Sequence, residues 1–213
     1  MNTEVIFFDF DGVIVESLNI KRDAFARLFE DEGERIVKEV VDYHLAHEGV
    51  SRYEKFIYIY KEMLKRPLDE DTFRDLSRKF SDLVMEDVVL CPYVKGAREF
   101  LEQYSEKYKC FVLSATPKDE IREIVRRRKL NGFFQGVYGA PDEKTDMVRS
   151  IIKKEGIEPA RAVYIGDAIS DYRAAQENAA RFIAKINDNG SIFAGIDCVK
   201  VKDLKNLKQI LET

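Results

Sequence analysis

Cysteine is scarce in this 213-residue chain. The three present, Cys91, Cys110 and Cys198, are scattered and odd in number. That excludes a disulfide framework and a thiolate zinc site, and it points to a reducing compartment, expected to be cytoplasmic. Long apolar runs are also missing. The first, Val5 to Phe8, is broken by Asp9, so neither a signal peptide nor a membrane span is expected. Basic tracts are absent apart from Arg126-Arg127-Arg128-Lys129, and the net charge is -4. Nucleic acid is therefore not an expected partner, and the one basic run suits a helix carboxyl end. There is no internal repeat and no low-complexity segment. Hydrophobic residues make up 45% of the chain, enough to build a core. The length suits one domain, with room for an inserted lobe.

What is present is organised around Val5-Ile-Phe-Phe-Asp-Phe-Asp-Gly-Val13. The apolar run reads as a strand buried on both faces. At its end stand Asp9 and Asp11, then Gly12. Alternation puts the two carboxylates on one face, where their charges repel. A hard cation such as Mg2+, which prefers oxygen ligands, would neutralise them. Gly12 lets the chain turn sharply. The plainer reading is a polar strand end running into a turn.

Four amphipathic stripes follow. Leu18, Phe25, Leu28 and Phe29 share the first; Ile36, Val37, Val40 and Val41 the second. Phe56, Ile57, Tyr60 and Leu64 make the third, and Phe73, Leu76, Phe80, Leu83 and Val84 the fourth. Ser51-Arg-Tyr-Glu54 reads as a capping box opening the third helix, and Pro67 with Asp69 separates it from the fourth. Residues 16–86 are thus expected to form a helical bundle. After Cys91-Pro92 the pattern changes. Strands at Cys110–Leu113, Val137–Tyr138, Ala162–Ile165 and Phe182–Ala184 alternate with helical stripes, and Val199 and Val201 fit an edge strand. Alternation of this kind implies an α/β fold with a doubly wound parallel sheet. Ligands then bind beyond the carboxyl ends of the strands.

Those ends carry the chemistry. The first strand ends in Asp9 and Asp11, the second in Ser114-Ala-Thr116-Pro117. The third leads to Glu143-Lys144, the fourth to Gly166-Asp167-Ala-Ile-Ser170-Asp171. Each has an innocent explanation alone. Ser114 suits a turn, Thr116 a helix N-cap before Pro117, Lys144 the solvent, and Asp167 and Asp171 a turn and a cap. Together they fall where the sheet rule places a site. Phosphoryl transfer needs a nucleophile, a bridging cation, donors for the phosphoryl oxygens and an acid for the leaving oxygen, and these residue types supply them.

The spacings resemble the haloacid dehalogenase superfamily, in its aspartate-nucleophile phosphatase branch with a helical cap, which includes phosphoglycolate phosphatases and β-phosphoglucomutases. Asp9-Phe-Asp11-Gly12 matches the first motif, Ser114 the second, Lys144 the third and Gly166 to Asp171 the fourth. The resemblance implies a core of residues 1–15 and 87–213 and a cap of residues 16–86. It implies that Asp9 is the nucleophile and Asp11 the acid and base. Mg2+ would be held by Asp9, the carbonyl of Asp11 and Asp167, with Asp171 direct or through water. Ser114, the N–H of Ala115 and Lys144 would grip the phosphoryl oxygens. Glu16 and Ala180 stand where many relatives carry aspartate and glycine, away from the chemistry. Asp11 speaks against dehalogenation.

In the implied cap, the loop His44-Leu-Ala-His47-Glu48-Gly49-Val-Ser51-Arg52 offers His47, Glu48, Arg52 and Lys55 as groups a substrate could meet. A capped helix start with solvated neighbours is the competing view. The implied partner is a small phosphorylated sugar or organic acid, and the expected assembly a monomer or homodimer. The main expectation is a Mg2+-dependent phosphatase. A sugar-phosphate phosphomutase shares all four motifs. A phosphate-accepting signalling module is disfavoured by the inserted helices, and a silent binder by the full set of catalytic groups.

Overall fold

Residues 3–187 and 192–212 are described by the computed structural model. Val5–Phe8 forms β1, four apolar side chains without exposed surface. The remaining strands are β2 (Lys109–Pro117), β3 (Gly136–Ala140), β4 (Ala162–Gly166), β5 (Arg181–Lys185) and β6 (Val199–Val201). They lie side by side as β3-β2-β1-β4-β5-β6, and every pair is parallel. The chain winds outward from β1 to β3, then returns beside β1 and winds the other way. This is the doubly wound α/β sheet expected from the alternation. The reversal leaves a crevice beyond the carboxyl ends of β1 and β4.

Of the five α-helices between β1 and β2, the first four are α1 (Leu18–Leu28), α2 (Glu34–Ala46), α3 (Arg52–Tyr58) and α4 (Glu70–Leu90). The others are α5 (Ala97–Tyr104), α6 (Lys118–Arg127), α7 (Lys144–Glu155), α8 (Ile169–Glu177) and α9 (Leu207–Glu212). Side chains alternate across the sheet. Ile6 and Phe8 face α5, α6 and α9, while Val5 and Phe7 face α7 and α8. Both faces are covered, as an all-parallel sheet requires.

The four inserted helices pack around an aromatic cluster. Phe25 of α1 lies 4.7 Å from Phe80 of α4 and 5.9 Å from Phe56 of α3, centroid to centroid. The outgoing and returning chains run together. The N–H of Glu16 donates to Pro92 O at 2.9 Å and that of Val94 to Ile14 O at 3.0 Å. Arg128, just past α6, donates to the carbonyls of Val88, Val89 and Cys91 at 2.8 to 2.9 Å. It thereby satisfies the carboxyl end of α4, which has no basic residue in its own last turn.

Three local expectations need correction. Ile57 does not share the buried face of Phe56. It is 53% exposed, because the inward positions of this helix are Arg52, Lys55, Phe56 and Ile59, an ordinary helical period that leaves Ile57 outside. The capping box is half made. Ser51 Oγ accepts the N–H of Glu54 at 3.3 Å, but the Glu54 carboxylate takes the Ser51 hydroxyl rather than its backbone N–H. Thr116 caps no helix, because β2 runs on through Pro117 and α6 starts after it with no side-chain cap. The three cysteines are free thiols. Among the described residues no helix is long and apolar enough to cross a membrane.

Candidate active site

The strand ends converge in the crevice. The N–H of Asp9 donates to Ile165 O at 2.9 Å, so the pairing of β1 with β4 carries one residue beyond the strand. Phe10 turns into the core, and Asp11 comes back to the side of Asp9. Gly12 then takes φ +77°, and a β-carbon there would lie 2.1 Å from Asp167 Oδ2. Both the backbone and the packing require glycine. Gly166 is constrained likewise, since a β-carbon would meet the Asp171 side chain at 2.3 Å.

Asp9 and Asp11 are buried and serve different neighbours. Lys144, the first residue of α7, places its Nζ 3.0 Å from Asp9 Oδ2 and 2.7 Å from Asp171 Oδ1. The other oxygen of Asp171 accepts the N–H of Ala168 at 3.0 Å, which fixes it at the start of α8. Asp167 joins the group, and Asp9, Asp167 and Asp171 each offer an oxygen within 4.8 Å of the others. Burial pushes the Asp9 carboxyl up to about 7 against the pull of Lys144, with Asp171 and Asp11 pushing further. Burial, then Asp9 and Asp171, drives Asp167 well above the carboxylate range. Burial opposes the charge on Lys144, but Asp171 and Asp9 outweigh it and raise its pKa. Three buried acids around one ammonium are short of positive charge. Their donor set is oxygen alone, which fits a hard divalent cation such as Mg2+.

Asp11 faces the other way. Ser17 donates to its Oδ1 at 2.6 Å, and Thr116 to its Oδ2 at 3.1 Å. Lys21 of α1 pairs with the same Oδ2 and also donates to Thr116 Oγ1 at 2.7 Å. Burial opposes ionisation, but Lys21, Ser17 and Thr116 overcome it and hold Asp11 below the usual range. Two acids two residues apart are thus pushed in opposite directions, each by its own set of neighbours. Ser114 Oγ accepts the N–H of Thr116 at 3.0 Å and lies 3.5 Å from Asp11 Oδ2. Ala115 lines the same space.

A cavity of about 40 Å³ lies over Asp9, Asp11 and Asp167, roofed by α1, α2, α3 and α4. Arg52 lines it, buried, with its guanidinium on the Glu120 carboxylate of α6 at 3.0 and 2.5 Å. Ser81 joins that pair, and Phe80 lies 4.3 Å beneath the guanidinium. Lys55 lines it too, with Nζ 2.9 Å from Nδ1 of His44. Burial, then the charge of Lys21, brings the Lys55 ammonium down to about 7. Burial and Lys55 bring His44 to about 2, so its imidazole is neutral and accepts from Lys55. Half-buried Glu48 stands between this cavity and a broad cleft of about 900 Å³ on the protein surface. Burial pushes its carboxyl up while Lys55 and Lys185 pull it down. Gly49 packs onto α8, where Ser170 donates to its carbonyl at 3.0 Å.

Of the residues expected at the site, Asp9, Asp11, Ser114, Ala115, Lys144, Asp167 and Asp171 come together. Glu48, Arg52 and Lys55 reach the roof. His47 does not. It is exposed, stacked 4.1 Å from the Tyr43 ring with Nδ1 2.8 Å from Tyr43 O. Lys21, His44, Thr116 and Glu120 are present and were not expected. Thr116 carried a signal, a hydroxyl at a strand end, but reads equally as an N-cap. The other three carry no local signal.

The sequence and the fold both have relatives. The family model described as haloacid dehalogenase-like hydrolase matches residues 6–185. A phosphorylated carbohydrates phosphatase of Thermotoga maritima is 25% identical over 226 aligned residues, covering 98% of this chain and all of that one. A β-phosphoglucomutase of Clostridium difficile superposes with a TM-score of 0.78 at 17% identity, over 99% of this chain and 96% of its own. A predicted phosphoglycolate phosphatase of Haemophilus somnus gives 0.77 at 18% identity, over 99% and 98%. With four-fifths of its length under that family model and the acids and lysine gathered at the strand ends, the chain belongs to the haloacid dehalogenase-like hydrolases.

Proposed function

We propose that the chain is a Mg2+-dependent phosphatase of small phosphorylated carbohydrates. The observation that carries this reading is the opposite treatment of Asp9 and Asp11 in one cavity, one bound to Lys144 and the other to Lys21 and Thr116. The phosphatase of Thermotoga maritima, matched along its whole length, supports the substrate class.

Asp9 attacks phosphorus through a carboxylate oxygen, and the ester P–O bond breaks. The leaving oxygen takes its proton from Asp11. In the second step water attacks the aspartyl phosphate, gives its proton to Asp11, and the bond to Asp9 breaks with release of phosphate. Lys144, Ser114 and the Ala115 N–H hold the phosphoryl oxygens, and Lys144 also holds Asp9 in line. Asp9, Asp167 and the Asp11 carbonyl would hold Mg2+, with Asp171 direct or through a water. Bound there, the cation neutralises the acids and the phosphoryl charge. Residues 16–86 act as a cap over a core of residues 1–15 and 87–213. The pairing of Glu16 with Pro92, where the outgoing and returning chains meet, supports a division near these residues, though α4 runs on to Leu90. The free thiols suit a cytoplasmic enzyme. The same parts serve a phosphomutase, and the roofed cavity is the observation in favour of that alternative.

The test is phosphate release from a panel of sugar phosphates, with Mg2+ and with chelator. Mg2+-dependent release supports the phosphatase. Isomerised sugar phosphate without free phosphate supports the mutase. No turnover of any kind overturns both.

A further inference from the structure

Three cations line the cavity, and two are matched. Lys21 holds the Asp11 carboxylate and Arg52 holds both oxygens of Glu120. Lys55 is different. Its side chain is almost fully buried, yet among the described residues it forms no ion pair. An ammonium has three N–H donors, and the hydrogen bond found for Lys55 goes to the neutral His44 ring. His44 is itself incomplete, because its Nε2 is buried with no hydrogen-bond partner. A buried ammonium without a carboxylate is unfavourable unless a counter-charge arrives. No described residue pairs with it. Lys21 repels it, and Glu48, Glu54 and Asp11 attract it only from beyond ion-pair distance. The aromatic floor beneath it, with Phe25 at 5.5 Å from Nζ, excludes water rather than replacing an anion.

The geometry points to Lys55 and His44 as a subsite for a second anionic group, so that the substrate is a phosphomonoester that also carries a carboxylate or a further phosphate. The inference rests on the phosphatase reading, which places the reacting phosphoryl group on Asp9. Lys55 then takes the far end of the same molecule. His44 holds the ammonium in position from the side away from the ligand.

Binding of unreactive phosphonates separates this inference from that reading. Calorimetry with Mg2+ compares phosphonoacetate, phosphonopropionate and propanediyl bisphosphonate with propylphosphonate. The wild-type chain should bind the second-anion compounds about 10- to 100-fold more tightly, the range for a charge-assisted hydrogen bond in a buried site. The carboxylate and bisphosphonate arms tell which anion it prefers. Lys55→Met should erase the difference and Lys55→Arg should keep most of it. Equal binding of all four compounds, or a preference that survives Lys55→Met, overturns the subsite. If none of the four binds, the subsite falls together with the phosphate site. If all bind but no phosphomonoester is turned over, the subsite is judged on affinity alone and the catalytic reading falls by itself.

Discussion

Arg52 of the inserted helices and Glu120 of the sheet layer form a two-pronged ion pair, with the guanidinium only 4% and the carboxylate 6% exposed. Breaking it leaves a buried charge alone. Glu120→Ala should therefore destabilise the protein by about 3–5 kcal/mol, and replacing both residues by apolar ones should cost much less. Urea denaturation of the two single variants and the double variant measures this. The same pair ties the roof to the floor, so Arg52→Ala should raise KM more than it lowers kcat. A loss confined to kcat would remove Arg52 from substrate binding.

Asp9→Asn separates stability from chemistry. Turnover should fall by about a thousandfold or more, because the nucleophile is gone. The fold should not suffer. In wild-type protein at pH 8 without metal, the ionised Asp9 is buried beside Asp171 and Asp11. A neutral amide relieves that repulsion. Melting temperature in chelator at pH 8 should hold or rise, and a collapse of several degrees would show that the Lys144 contact dominates instead.

The metal-free protein should lose stability as pH rises through neutrality. Folding raises the Asp9 carboxyl from 3.8 to about 7. Its contribution is full below the unfolded value, where both states hold the proton, and is lost as pH climbs through the folded value. Asp167 is displaced in the same direction. Mg2+ competes with those protons. Added Mg2+ should therefore raise the melting temperature more at pH 8 than at pH 6, and an equal rise at both would place the cation elsewhere.

Lys21→Met tests the assignment of Asp11. The ammonium is the strongest influence opposing burial at that carboxyl. Without it, the Asp11 pKa should rise, and the alkaline limb of the kcat/KM profile, where Asp11 must hold its proton, should move to higher pH. An unmoved limb would show that another group handles the proton.

The apolar run of Val5 to Phe8 and the acids beyond it are local features, as is the order of strands and helices. They specify a doubly wound sheet and the place where its ligands bind. Asp9, Lys144, Asp167 and Asp171 were legible for that reason, since each stands at or just beyond a strand end. The roof was legible only in part: Glu48, Arg52 and Lys55 stood out in its loop, but Thr116 meets Asp11 across 105 positions and Arg52 meets Glu120 across 68, and neither pairing leaves a local mark. His44 reads as the start of a loop, but α2 runs on to Ala46 and holds it on its buried face. His47 was attractive as a polar loop residue, but stacking on Tyr43 turns it to solvent. Ile57 lies outside because buried Lys55 shares the inward face with Phe56, and hydrophobicity alone points to the wrong neighbour.

The contacts of Lys144 with Asp9 and Asp171, and of Asp171 with Ala168, lie entirely within the sheet layer. Those of Asp11 do not, because Lys21 stands on the first inserted helix. On the proposed mechanism the nucleophile is thus held by the sheet layer alone, while the acid and base depends also on the inserted helices. A movement of those helices would leave Asp9 in its setting and take Lys21 from Asp11. Docking of a phosphoryl group and departure of the leaving group would then answer to different parts of the molecule.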